Sequence, residues 1–167
     1  MKKKRRYEPE RRMAVNMSSR KVIYTIGHSN RSLQEFIGLL KKYNIKRIID
    51  VRRFPTSRHV PHFKKEVLER ELPKQNIEYY WLGDLLGGFR PGGYIKYMET
   101  EEFSKGLRKL LEIAGREGRT AIMCRERLWF KCHRRFISDR LVELGYKVIH
   151  IIDDERTYEH KRKPKTS

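Results

Sequence analysis

The chain has 167 residues, enough for one sizeable core and too few for two ordinary domains. Its 40 Lys and Arg against 21 Asp and Glu give a formal charge of +19, a self-repulsion that a polyanionic partner would relieve. With 38% hydrophobic and 11% aromatic residues the composition excludes a wholly disordered, collagen-like or coiled-coil chain, and no apolar run approaches the ~20 residues that span a bilayer.

Residues 1–20 hold Lys2, Lys3, Lys4, Arg5, Arg6, Arg11 and Arg12 with little apolar patterning and read as a basic arm. No apolar stretch follows them, so no signal peptide is predicted and the expected compartment is the cytoplasm. The folded domain is expected over 21–154. Val22–Gly27 reads as a first strand. Ser32 and Glu35 form a capping box for a helix through Tyr43, with Leu33, Phe36, Ile37 and Leu40 on one face and Asn44 closing it. Ile45–Val51 is a second strand, Arg52–His62 with Pro55 and Pro61 a loop, and Lys64–Leu72 a short helix. Ile77–Leu82 is a third strand and the glycine-rich Gly83–Gly93 a mobile rim loop. Thr100 caps a helix to Glu117, apolar at Phe103, Leu107, Leu110 and Leu111 and ended by Gly118. Thr120–Cys124 is a fourth strand, Cys132–Leu144 a helix closed by Gly145, and Lys147–Ile152 a fifth strand. Residues 155–167, with Lys161, Arg162 and Lys163, read as a basic tail. This alternation predicts an α/β fold: a Rossmann-like, open, mostly parallel sheet of about five strands flanked by helices, with basic N- and C-terminal extensions.

In such a sheet ligands collect beyond the carboxyl ends of the strands. Those ends carry His28, Ser29, Asn30 and Arg31, then Asp50, Arg52 and Arg53, then Cys124, Arg125 and Glu126. The densest constellation is Cys124, Glu126, Cys132, His133 and Arg134. Cys124, among arginines and the positive end of a helix, would ionise readily as a nucleophile, with Glu126 as acid or base and His133 positioning a proton. The same residues also read as plain packing, because a cysteine at a strand end is a small apolar residue. They read equally as an anion site, in which helix amides with Arg134 and Arg135 hold a phosphate and Arg52 or Arg53 reaches across.

A phosphatase loop is excluded, because Phe130 and Ser138 stand where an arginine six residues after Cys124 or Cys132 is required. The spacing of Cys124, Cys132 and His133 is wrong for structural zinc, and the 83–93 glycines carry no phosphate-loop or dinucleotide fingerprint, so no metal and no cofactor is expected. Two cysteines are too few for a disulfide framework and read as thiols. A composition poor in Asn and Gln and rich in Lys, Arg and Glu leans towards a thermophile and leaves their pairing open.

Several separated motifs, in order, resemble the family called domain of unknown function 488. They are Tyr24-Thr25-Ile26-Gly27-His28-Ser29; Asp50-Val51-Arg52 with Phe54-Pro55, Ser57 and Phe63; Leu86-Gly87-Gly88; Gly93-Tyr94 with Tyr97-Met98; and Met123-Cys124, Glu126 and Cys132-His133-Arg134. The resemblance runs from Val22 to Ile152. It implies a Rossmann-like domain and a shared pocket built from His28, Ser29, Asp50, Arg52, Tyr94, Cys124, Glu126, Cys132, His133 and Arg134, and it names no substrate. This chain departs from the pattern in its short stretch between Gly88 and Tyr94 and in its basic extensions.

The expected function is that of a basic nucleic-acid-associated protein, RNA favoured over DNA and a ribosome fitting well, with no membrane partner. Arg53, Arg58, Arg90, Lys161, Arg162 and Lys163 join the arm residues as phosphate contacts, and Phe89, Arg90 and Tyr94 are placed to stack on or pair with bases. The alternative is a cysteine-dependent enzyme acting on a nucleotide or nucleic acid through Cys124 and Glu126.

Overall fold

The computed structural model describes residues 21–56 and 58–161. Lys2, Lys3, Lys4, Arg5, Arg6, Arg11, Arg12, Ser57, Arg162 and Lys163 lie outside the described residues. Five short runs rich in Ile, Val and aromatic residues pair in parallel: β1 (Val22–Gly27), β2 (Ile45–Asp50), β3 (Glu78–Trp81), β4 (Arg119–Cys124) and β5 (Lys147–Ile151). The inner strands β2 and β4 are buried almost along their whole length, as strands covered on both faces must be.

A sixth strand, β6 (Thr157–Glu159), adds antiparallel to β5, giving the order β3-β2-β4-β1-β5-β6. This corrects the count of about five strands and places order where a basic tail was expected. Three residues with one aromatic carry too little pattern to announce a strand; it exists because β5 offers an open edge. The architecture is the predicted Rossmann-like α/β sheet, with six α-helices flanking it among the described residues.

Helices cover both faces. On one lie α1 (Leu33–Lys42) and α2 (Lys65–Lys74), which bury Phe36, Leu39, Leu40, Leu68 and Leu72 against Ile26, Ile48 and Met123. The capping box is formed in both directions between Ser32 and Glu35. On the other lie α5 (Glu101–Ala114) and α6 (Arg134–Glu143), whose Phe103, Leu107, Leu110, Ile137 and Leu141 meet Ile23, Ile49 and Ile122. Thr100 caps α5, which ends at Ala114, three residues short of the expected Glu117.

The expected mobile rim is tied down instead. It contains α3 (Gly83–Leu86) and leads into α4 (Tyr94–Tyr97). Arg90 Nε donates to the Gly87 carbonyl at 2.9 Å and its Nη2 to that of Asp84 at 2.7 Å. Tyr94 and Tyr97 donate to the carbonyls of Leu86 and Leu85 at 2.7 and 2.6 Å. Among the described residues no helix is long and apolar enough to cross a membrane.

The register sets three strand ends level: Gly27 of β1 faces Cys124 of β4, and Asp50 of β2 faces Met123. The chain leaving β1 crosses β4 on the α1 face to reach β2, whereas the chain leaving β4 crosses β1 on the α6 face to reach β5. Divergence of the two connections opens a crevice at these ends. The gap there is tight, since a Cβ on Gly27 would sit 1.7 Å from the Glu126 carbonyl oxygen. Gly27→Ala must therefore push β1 and the 125–127 loop apart, and is expected to lower stability by about 3 kcal/mol, seen as a reduced urea midpoint at unchanged slope.

Candidate functional site

Asp50 ends β2 fully buried, where an unpaired carboxylate would be very costly. Arg52, two residues on, supplies the counter-charge. Its backbone N and Nε donate to Asp50 Oδ1 at 3.0 and 2.9 Å, and its Nη2 to Oδ2 at 2.7 Å. The Tyr79 hydroxyl adds a bond to Oδ2 at 2.5 Å, and burial beside that carboxylate pushes its pKa far up. Arg52 Nη1 donates to His28 Nε2 at 3.2 Å, so the His28 proton sits on Nδ1 and is given to the Ser29 carbonyl at 2.8 Å. Burial first, and the Arg52 charge second, lower the His28 pKa to about 3. His28, stacked on Phe63 at 4.5 Å, is a neutral wall of the site.

Cys124 ends β4 and is 2% exposed; Cys132, just before α6, is partly exposed. Both are free thiols, with their Sγ atoms 2.7 Å apart. Burial pushes the Cys124 thiol well up, whereas the bond that Cys132 receives from Cys124 lowers the Cys132 pKa to about 7 against its own burial, with Arg134 helping. The thiolate expected at Cys124 therefore belongs to Cys132. The reason is local: Cys124 is sealed behind its neighbour, while Cys132 accepts the Cys124 bond and is helped by the charge and backbone N–H of Arg134.

His133 donates from Nε2 to the Val51 carbonyl at 2.8 Å, and burial lowers its pKa to about 4. Its Nδ1 is an acceptor facing Gly88, where an added Cβ would come within 3.1 Å. The Tyr94 ring packs 5.2 Å from His133 and 5.8 Å from Phe136.

Arg134 does not reach the crevice. It is fully buried, and its Nη2 donates to the carbonyls of Glu126 at 2.7 Å and Arg127 at 3.4 Å, which holds the loop after β4. Its Nη1 donates to Thr25 Oγ1 at 3.2 Å. Thr25 passes its hydroxyl proton to His150 Nδ1 at 2.5 Å, His150 Nε2 donates to His160 Nδ1 at 2.8 Å, and His160 Nε2 donates to Asp139 Oδ1 at 2.6 Å. Donors point one way along this chain, from the guanidinium to a carboxylate. Burial, and then the Arg134 charge, lower the His150 pKa to about 2.

The crevice has a volume of about 770 Å³. Of the residues the sequence singled out, His28, Arg52, Tyr94, Cys124, Glu126, Cys132 and His133 line it; Ser29, Asp50 and Arg134 do not. Ser29 turns its hydroxyl to Asn30, and Asp50 and Arg134 hold the walls from behind. Arg53 and Arg58 line it as well, but Arg90 spends its donors on loop carbonyls and covers the Tyr97 ring at 4.0 Å.

Among the described residues six cations line the crevice, namely Arg52, Arg53, Arg58, Arg125, Lys131 and Arg135, against the single carboxylate of Glu126. Phe54, Phe89 and Phe130 stand at it 64%, 83% and 46% exposed. Sequence reasoning passed over Phe54 and Phe130 as contacts. The signal was there, since each of the three rings adjoins a cation along the chain: Arg53-Phe54, Phe89-Arg90 and Phe130-Lys131.

A family profile described as Domain of unknown function DUF488 matches residues 32–141, well over half the chain. The chain belongs to the DUF488 family. No curated protein and no solved structure matches it. The stretch matched to DUF488 includes Asp50, Arg52, Tyr94, both cysteines, Glu126, His133 and Arg134, while His28 precedes it and His150 and β6 follow it.

Buried His28 and His150 and half-buried His133, with folded pKa values of about 3, 2 and 4, bind no proton at mild acidity, whereas each does once unfolded, below about 6.5. The unfolded state thus takes up protons, and stability is full above that pH and falls as pH drops through it towards the folded values. His28, His133 and His150 are each expected to cost about 1.4 kcal/mol per pH unit between roughly pH 6 and 4. Calorimetry in buffers of different ionisation heat should show about three protons taken up on unfolding near pH 5.

Proposed function

We propose that this protein binds RNA and seats an unpaired nucleotide in the crevice, its phosphates against the cationic walls and its base against the exposed phenylalanines. The observation that carries this reading is the coincidence, in one crevice, of six cations to one carboxylate with three solvent-facing phenyl rings. Phosphate attracts the first and a base the second, and an unstacked base with its own phosphate asks for both. The whole-chain charge of +19 supports the same partner through sequence-independent attraction. Tyr94 supports it as a structural wall rather than a stacking platform, because it is buried and its hydroxyl is committed to Leu86. A ribosome, as a large RNA surface, is a partner this reading extends to.

Cysteine-dependent attack on a nucleotide through Cys124 and Glu126 has weaker support. Cys124 is buried with its thiol pushed up, although the Glu126 carboxylate lines the crevice with no hydrogen bond or ion pair among the described residues.

The test is fluorescence anisotropy of a short labelled single-stranded RNA with the full chain across a salt series. Phe89→Ala is expected to weaken binding by about 1 kcal/mol or more at unchanged salt slope, through loss of a stacking face. Arg58→Ala is expected to flatten the slope of log K against log salt by about 0.7, one phosphate contact on a single strand. Wild-type affinity in Phe54→Ala, Phe89→Ala and Phe130→Ala alike would remove the crevice from the interface.

A further inference from the structure

We infer that Cys132 and Cys124 form a dithiol centre that reduces small carboxylate-bearing disulfides, with Cys132 attacking and Cys124 resolving. The geometry carries it. The two sulfurs lie 2.7 Å apart, inside van der Waals contact and within a small shift of the ~2.05 Å of a disulfide bond. Both line the crevice, and they differ in access: Cys132 is partly exposed, and Cys124 is sealed behind it. An attacking thiol must meet its substrate, whereas a resolving thiol need only meet the attacker.

Arg134 is the second observation. It is fully buried, its Nε has no hydrogen-bond partner, and its charge bears on both thiols. A thiolate is the natural counter-charge for such a group, and Cys132, near neutral pKa, holds it.

The electrons balance without a further reagent. Cys132 thiolate attacks one sulfur of the substrate R–S–S–R; the substrate bond breaks and the first thiolate leaves, taking a proton from water. Cys132 is then neutral, which removes the bond and the like charge that held the Cys124 proton in place, and the Arg134 charge falls on Cys124. Cys124 attacks Cys132 Sγ, the mixed disulfide breaks, and the second departing thiolate takes the Cys124 proton. The protein loses two electrons as Cys124–Cys132, and the substrate gains them as two thiols. The six cations against one carboxylate select an anionic disulfide over a neutral one.

The probe is dithiobis(nitrobenzoate), an aromatic disulfide with two carboxylates, added to the reduced full chain without oxygen. The wild type is expected to release two equivalents of nitrothiobenzoate, to retain no adduct, and to end lighter by two hydrogens. Cys124→Ser is expected to release one equivalent and keep the adduct on Cys132. At low salt the probe is expected to react about tenfold or more faster than its neutral bis-carboxamide, an aromatic disulfide of matched leaving group. Because Cys132→Ser removes a packed sulfur, the order of attack is read in the wild type: limiting iodoacetamide should mark Cys132 first, with a rate that rises through pH of about 7. A stable adduct on wild-type Cys132, or first alkylation at Cys124, would overturn the dithiol assignment, and equal rates for the two disulfides would overturn the anionic substrate class.

Discussion

Arg134 carries a full positive charge into a place that water does not reach, and among the described residues no carboxylate touches it. Isolated buried charge is among the most expensive things a fold can hold, so its surroundings are arranged to answer it. Two loop carbonyls accept from it, a threonine hydroxyl relays its pull through two histidines to Asp139, and a thiol near neutral pKa lies within its field. The position of the loop after β4 and the single direction of the buried donor chain follow from that one guanidinium, which also adds to the pull of the Cys124 hydrogen bond on the Cys132 thiol.

The crevice divides its charges by depth. At its floor Arg52 is bound to Asp50 with both carboxylate oxygens, so its charge is largely spoken for, and the histidines nearby stay neutral. Around it, Arg58, Arg125, Lys131 and Arg135 are exposed, and none of the four spends its charge on a carboxylate among the described residues. The inner arginine fixes shape; the outer cations set the sign of what enters. The walls are thus complementary to an anion, the chemistry that a phosphate and a carboxylate share.

Much of the fold was legible because the sheet is buried on both faces. Short apolar stretches within 22–27, 45–50 and 119–124, a capping box at Ser32 and a helical stripe at Phe103, Leu107 and Leu110 each follow local rules. Strand ends being where ligands gather, Cys124, Glu126, Cys132 and His133 were legible as one cluster before their positions were known. What stayed hidden depends on partners distant in sequence. Which cysteine ionises is decided by the burial of Cys124 and by the bond it gives Cys132, with Arg134 helping, Ser29 leaves the crevice because its backbone takes a φ of 52°, and β6 exists only because β5 has a free edge. The glycine-rich rim misled for the same reason: Arg90, Tyr94 and Tyr97 fasten it through carbonyls no local pattern reveals.

The link between Arg134 and Asp139 passes through His160, which directly follows β6 and is itself buried. A chain made from its N-terminus acquires both thiols and the arginine before it acquires that histidine. Completion of the electrostatic circuit thus comes later than the making of the sulfur pair, and a nascent chain holds its thiols beside a cation whose relay is still incomplete.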